Sequence, residues 1–144
     1  MAVPCVGVIT IKDNEVLVVR HESNSGYDNH IDGLPSGRLE TGETDIQAAA
    51  REFCEETGLE TYTDQLIEFP GNYFIGKLPH RKNPAEANTE YSWRVYLCKS
   101  YTGSITPSTE TTPEWITISD LEKYDLLPNV KNAVMAALEF LNHS

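Results

Sequence analysis

Residues 37–59 read Gly37-Arg-Leu-Glu-Thr-Gly42-Glu43-Thr-Asp-Ile-Gln-Ala-Ala-Ala-Arg51-Glu52-Phe-Cys-Glu55-Glu56-Thr-Gly58-Leu59. Glu52, Glu55 and Glu56 stand at helical spacings of three and four, which places their carboxylates on one face within roughly 100° of arc. Ile46, Ala49, Ala50, Phe53 and Thr57 form the opposite, core-facing stripe. Thr44 or Asp45 can cap the start of such a helix and Gly58 its end. Like charges this close repel by about 0.2–0.5 kcal/mol per pair. A divalent cation removes that cost, and hard cations take oxygen ligands while leaving positions open to phosphate oxygens. The helix therefore reads as a metal platform for a phosphate-containing substrate. A solvated charged face, with Arg51 and Glu55 as an ordinary surface pair, is the alternative. The flanks argue against it: Gly37 and Gly42 precede the helix, Glu43 sits at its mouth and Gly58 ends it.

The segment resembles the Nudix box in register. That pattern runs Gly, five free positions, Glu, seven free positions, Arg-Glu, a bulky aliphatic, one free position, Glu-Glu, one free position, Gly and an aliphatic. Gly37, Glu43, Arg51, Glu52, Glu55, Glu56, Gly58 and Leu59 all match. Phe53 departs, being aromatic where the family has Leu, Ile or Val, but it lies on the apolar face and bears on packing rather than ligation. Upstream, Leu34-Pro35-Ser36-Gly37 is similar to the family's Pro-Gly-Gly entry, with Ser36 for the first Gly.

The resemblance implies an α/β fold, a curved mixed β-sheet sandwiched between α-helices, as a single domain over residues 1–144 in which strand three leads into the box loop. It also implies hydrolysis of a nucleoside diphosphate linked to another group. Magnesium, with manganese as a possible substitute, would be held by Glu52, Glu55 and Glu56, the Gly37 carbonyl being a possible addition. Glu43 and Arg51 would brace the loop and orient those carboxylates. A carboxylate would position or deprotonate the attacking water, with Glu52, Glu55 and Glu110 as the candidates.

Outside the box, MutT-type relatives carry an arginine at the end of the second strand that meets the substrate; Arg20 occupies that place, with a surface arginine as the alternative. Glu110 lies five residues before Trp115, where similar enzymes put a further metal-facing or base carboxylate; Glu114 competes with it, and a solvated loop acid is the plain alternative. Asn129 stands just before the last helix, where the similar MutT-type enzymes use an amide or carboxylate to read the base; a simple helix cap is the alternative. ADP-ribose hydrolases carry a proline about sixteen residues beyond the box, where this chain has Ile75; Tyr73 is close to, but earlier than, the tyrosine of dinucleoside-polyphosphate hydrolases. The expected reaction is therefore cleavage of nucleoside triphosphates to monophosphate and pyrophosphate. Hydrolysis of ADP-ribose or another nucleoside-diphosphate sugar, and nucleotide binding without catalysis, remain the alternatives. Against the last, every box acid is kept. Isomerases of this fold need a cysteine outside the box helix, and Cys54 lies within it, expected on the apolar side.

With 144 residues the chain has the length of one domain with a proper core. Its net charge of −11 disfavours a nucleic-acid polymer, whose binding rests on Lys and Arg, but not a small nucleotide whose charge is masked by metal. Cys5, Cys54 and Cys98 are odd in number and widely spaced, and read as buried free thiols of a reducing cytosol, so a cytoplasmic location is expected. No signal core or membrane-length apolar run is evident, so no membrane partner is expected. The oligomeric state is open.

Along the chain, Val3–Lys12 and Glu15–Arg20 read as strands joined at Asp13-Asn14, and residues 21–32 as a loop. The box helix is expected near Thr44–Thr57. Strands are expected over Thr61–Glu68 and Asn72–Lys77, around a Pro70-Gly71 turn, and over Glu90–Ser100 and Glu114–Ile118, with a further short piece at Ser104–Pro107. Residues 78–88 read as a polar loop whose His80, Arg81 and Lys82 could steer phosphate. Ser119 would cap a brief helix to Tyr124. A last helix over Pro128–Asn142 buries Val130, Val134, Ala137, Leu138 and Leu141. Trp93 and Trp115 read as core.

Overall fold

The computed structural model describes residues 2–21, 31–78, 83–108 and 111–143. The first predicted strand is broken. β1 (Val3–Ile9) ends at Thr10, and β2 (Ile11–Lys12) begins a different sheet, forming a hairpin with β3 (Glu15–His21). Thr10 is buried at this crossing and its carbonyl accepts the Leu17 amide at 3.1 Å. β4 (Ile31–Gly33) and β5 (Ser36–Arg38) follow, one in each sheet. The remaining elements are α1 (Asp45–Thr57), β6 (Leu66–Ile67), β7 (Tyr73–Lys77), α2 (Pro84–Ala87), β8 (Glu90–Cys98), β9 (Thr111–Thr117) and α3 (Val130–Asn142).

The larger sheet has the order β5-β1-β8-β6, with β7 also on β8. It is mixed: β1 and β8 run parallel in the register Val3↔Tyr91 to Ile9↔Leu97, and the other pairs are antiparallel. The smaller sheet joins β2, β3 and β4, with β9 on the other side of β3. One buried cluster gathers Val16, Val18, Val95 and Ile116 beneath Val130, Ala133, Val134 and Ala137 of α3. The other gathers Val6, Val8, Leu17 and Tyr96 beneath Ala48, Ala49 and Phe53 of α1. The expected architecture is therefore present: mixed strands between helices, with the box helix on one side and the terminal helix on the other.

Several local expectations change. The stretch 61–68 holds a 3-10 turn at Thr63–Gln65 and only two strand residues, because β6 and β7 share one edge of β8 and Gly71, at φ 82°, turns the chain between them. Ser104–Pro107 is not a strand; the Thr106 amide donates instead to the Thr57 carbonyl at 2.8 Å, beneath the end of α1. Residues 78–88 include the short α2, and His80, Arg81 and Lys82 lie outside the described residues. The expected loop at 21–32 gives up His21 to β3 and its end to β4. The brief helix is 3-10, over Ile118–Lys123, and Ser119 does not cap it. Leu141 is 40 % exposed, off the buried stripe of α3. Cys54 is exposed, so it neither faces the apolar side nor joins Cys5 and Cys98 as a buried thiol.

Candidate active site

The ends of α1 are fixed locally. The Thr44 hydroxyl accepts the Gln47 amide at 3.3 Å while the Gln47 side chain accepts the Thr44 amide at 3.0 Å, a reciprocal cap. Gly58 closes the helix in the left-handed region at φ 80°. With Ala48, Ala49 and Phe53 buried, the helix is held in rotation and its acid face turns toward β5.

β5 lies against that face at very short range. A Cβ built on Gly37 would stand 2.3 Å from Cδ of Glu52 and 2.4–2.5 Å from its two oxygens, so only glycine leaves the Glu52 carboxylate where it is. One residue earlier, the Ser36 amide donates to Oε1 of Glu56 at 2.5 Å. Sequence reading named Gly37 for its carbonyl; its missing side chain is the more direct reason for a glycine here.

Arg51 organises the acids. Its Nε and Nη2 form a fork on Glu43, at 2.7 and 2.9 Å. Nη2 also donates to the Arg38 carbonyl at 3.0 Å. Nη1 donates to Glu52 at 2.8 Å and to Glu55 at 3.2 Å. Such forks are geometrically specific as well as strong. The Arg51 hydrogen bonds, followed by the Glu40 amide, hold the Glu43 carboxyl down at about 2. Arg51 is itself pushed further up by Glu43. Burial raises Glu52 above the usual carboxylate range, against the pull of Arg51.

Among the described residues no three His, Cys, Asp or Glu side chains converge as a metal-ligating group. Glu52 and Glu55 face the Arg51 guanidinium, and Glu56 meets the Ser36 amide. The donors nevertheless suit a hard cation: all are oxygens, and Glu52 is a desolvated carboxylate that already draws a positive group to itself.

Two adjoining grooves open beside β5. The deeper, less open one is lined by Ser36, Phe74, Trp93, Leu127 and Asn129 among others. The outer one shares Ser36, Trp93 and Leu127 and adds His21, Gly37, Arg38 and Tyr91. In the outer groove Nη2 of Arg38 donates to the Tyr91 hydroxyl at 2.8 Å, and the guanidinium lies 5.3 Å from the centre of the Tyr91 ring.

The remaining candidates fall as follows. Asn129 lines the deeper groove; it stands at the N-terminus of α3 with φ 70°, and its side chain makes no capping hydrogen bond. Arg20 lines neither groove, although its neighbour His21 does; it is ion-paired to Asp32 at 3.5 Å and to Glu114 at 3.6 Å. Glu110 lies outside the described residues. Trp93, read as core, is half-buried and also forms groove wall, whereas Trp115 packs against the cluster under α1. Nothing in the sequence marks Phe74, Arg38 and Tyr91 as groove residues: Arg38 fills a free position of the box, and the two aromatics have the look of ordinary strand residues.

Comparison with known proteins agrees with this arrangement. The NUDIX domain model matches residues 1–138. The 8-oxo-dGTP diphosphatase of Escherichia coli (strain K12) is 35% identical over 63 residues, 44% of this chain and 48% of that protein. The MutT-like protein of Streptomyces ambofaciens is 35% identical over 65 residues, 45% of this chain and 39% of its own length. These alignments thus span half or less of the curated relatives. The crystal structure of a MutT NUDIX hydrolase from Burkholderia pseudomallei superposes with TM-score 0.76 at 17% identity, covering 94% of this chain and 98% of that one. The crystal structure of a C. elegans Ap4A hydrolase binary complex gives a TM-score of 0.68 at 18% identity over 99% and 100% of the two chains. At these identities the likeness is one of fold. The box in register, the acid face set against Gly37 and a family model spanning nearly all residues lead to one assignment: the chain belongs to the NUDIX family.

Proposed function

We propose that this protein is a metal-dependent pyrophosphohydrolase of nucleoside triphosphates, releasing monophosphate and pyrophosphate. The observation that carries the reading is the junction at Ser36-Gly37, where the carboxylates of α1 meet the mouth of a groove walled by Phe74, Trp93 and Asn129. Aromatic walls with one amide suit a flat heterocycle, and an amide offers both donor and acceptor to its edge. The 8-oxo-dGTP diphosphatase of E. coli, to which 44% of the chain is similar, supports a purine triphosphate among the substrates.

Nudix hydrolases generally need divalent metal ions and act on small nucleotides. In this reading Glu52, Glu55 and Glu56, with the Gly37 carbonyl, hold magnesium, for which manganese can substitute. When bound, the ion neutralises phosphate charge and polarises the phosphorus–oxygen bonds. Water attacks phosphorus, the bridging anhydride bond breaks, and the water proton passes to a carboxylate. Glu52 or Glu55 takes that proton, with Glu110 as the further candidate. Glu43 holds Arg51 by its fork, and Arg51 in turn fixes Glu52 and Glu55 before substrate arrives, so less ordering is left to binding. Asn129 reads the base.

A panel of nucleoside triphosphates, ADP-ribose and dinucleoside polyphosphates with magnesium or manganese, scored for phosphate and pyrophosphate, tests this. Pyrophosphate from triphosphates at the highest kcat/KM is the expected result. Faster turnover of ADP-ribose would overturn the substrate class, and no turnover of any nucleotide would overturn the activity.

A further inference from the structure

The sequence places Arg20 at the substrate, yet in the structure it is tied into a charged cluster of which only Asp32 is buried. Asp32, on β4 opposite Arg20, is 4 % exposed. Its Oδ1 lies 3.5 Å from Nε of Arg20, and Nη2 of Arg20 lies 3.6 Å from Oε1 of Glu114 on β9. Nε of Arg20, Oδ1 of Asp32 and Oε1 of Glu114 are all buried without a hydrogen-bond partner among the described residues. The three charged groups therefore hold one another by attraction, and removing Arg20 leaves the buried Asp32 carboxylate without its cation.

The backbone of Asp32 does something else. Its amide donates to the Asp125 carbonyl and its carbonyl accepts the Leu127 amide, both at 2.8 Å, so residues 125–127 add to β4 as a short parallel extension. Next to it, Leu127 packs on Gly33 so closely that a Cβ there would meet Leu127 Cδ1 at 2.7 Å. Leu127 lines both grooves, and Asn129, two residues on, lines the deeper one. The wall that carries Asn129 is thus clamped to the residue that Arg20 neutralises.

We propose that Arg20 is a positioning residue for base recognition: through Asp32 it fixes the 125–129 wall, and so the reach of Asn129 into the groove, without touching the nucleotide. The recognition part rests on the proposed nucleotide reading; the clamp does not. Steady-state kinetics on the triphosphate panel and amide hydrogen exchange, on wild type, Arg20→Gln, Asp32→Asn and the double variant, test both. Arg20→Gln should speed exchange at the Asp32 and Leu127 amides, raise KM for the best triphosphate by roughly tenfold and narrow the preference among bases, with kcat nearly unchanged. In the Asp32→Asn background the same change should affect KM and Leu127 exchange much less, because the carboxylate that links Arg20 to the wall is gone and only the part-exposed pair with Glu114 remains. Equal cost in both backgrounds would show Arg20 contacting the nucleotide directly and would overturn the proposal, as would unchanged exchange at Leu127. Should Arg20→Gln not fold, Arg20→Lys keeps the charge and should show the same pattern in smaller measure. If wild type hydrolyses no nucleotide, the nucleotide reading falls, whereas the exchange data still decide the clamp.

Discussion

Replacing Gly37 with alanine should disable the enzyme while leaving most of its stability. Real Cβ atoms essentially never come closer than 3.0 Å to another heavy atom, and the added methyl would stand 2.3 Å from Glu52 Cδ. The carboxylate must therefore retreat by about 0.7 Å merely to clear it, more to reach comfortable contact. Glu52 is a flexible side chain, so the retreat itself is cheap. Its 2.8 Å bond from Arg51 is the first thing lost. A hydrogen bond to a charged group is worth about 1.5–3 kcal/mol. Alanine recovers about 0.4–1 kcal/mol by restricting the unfolded chain, since Gly37 does not have a positive φ. The net cost is about 1–2 kcal/mol, a fall in Tm of roughly 3–8 °C. Activity should suffer far more, because a misplacement of about 1 Å in catalytic geometry costs up to ~100-fold. Pyrophosphate release at saturating magnesium gives kcat, and calorimetry gives Tm. Gly42→Ala is the control: φ is 86° there and nothing lies within 4 Å, so it should lower Tm by strain and leave kcat alone. A Gly37→Ala variant with wild-type turnover would refute the claim that this contact sets the Glu52 carboxylate.

Glu55→Gln and Glu56→Gln should each reduce kcat by orders of magnitude with circular dichroism unchanged, since an amide keeps the shape and loses the charge; near-normal turnover at saturating magnesium would remove that residue from the ligand set. Magnesium or manganese should raise Tm, by the equivalent of about 2.7 kcal/mol at a hundredfold excess over Kd; an unchanged melt in millimolar metal would count against the carboxylate site. Burial raises the Asp32 carboxyl, more than Arg20 lowers it, so the native state holds this proton above pH 3.8 where the unfolded chain has released it. Stability from this group is present below that pH and declines as pH rises through the folded value. Urea midpoints across that range should show wild type losing ground to Asp32→Asn as pH rises, and a constant difference would contradict the raised carboxyl.

The box helix was legible because its signals are local: three acids one turn apart, a threonine that can cap and a glycine that can close. Long apolar strands such as β1, β3 and β8 were legible for the same reason, through their Val and Ile content. What escaped was decided by partners distant in sequence. Thr10 breaks a continuous apolar run because the chain there changes sheets, and 61–65 forgoes strand because β8 offers its edge to two short neighbours. Cys54 misled because one residue of a helix turns its side chain by 100°, and the buried arc ends just short of it. At the site, spacing exposed the acids and Arg51 but not the groove. Arg20 and Asp32 are twelve residues apart, and their link to the wall at 125–127 is made by backbone, which carries no side-chain signature.

Asn129 illustrates how the main chain can limit what the proposed recognition site is able to become. With φ at 70° it sits where β-branched and bulky side chains are strained, and where glycine, asparagine and aspartate are at ease. Glycine would satisfy the turn but present nothing to a bound heterocycle. The position is thus narrowed, by conformation alone, to a short amide or a short carboxylate, one a mixed donor and acceptor and the other, when ionised, an acceptor only. Drift at this codon would then switch the protein between two hydrogen-bonding patterns rather than grade its preference smoothly. It also makes glycine, not alanine, the clean deletion of the side chain, because alanine would add backbone strain to the lost contact.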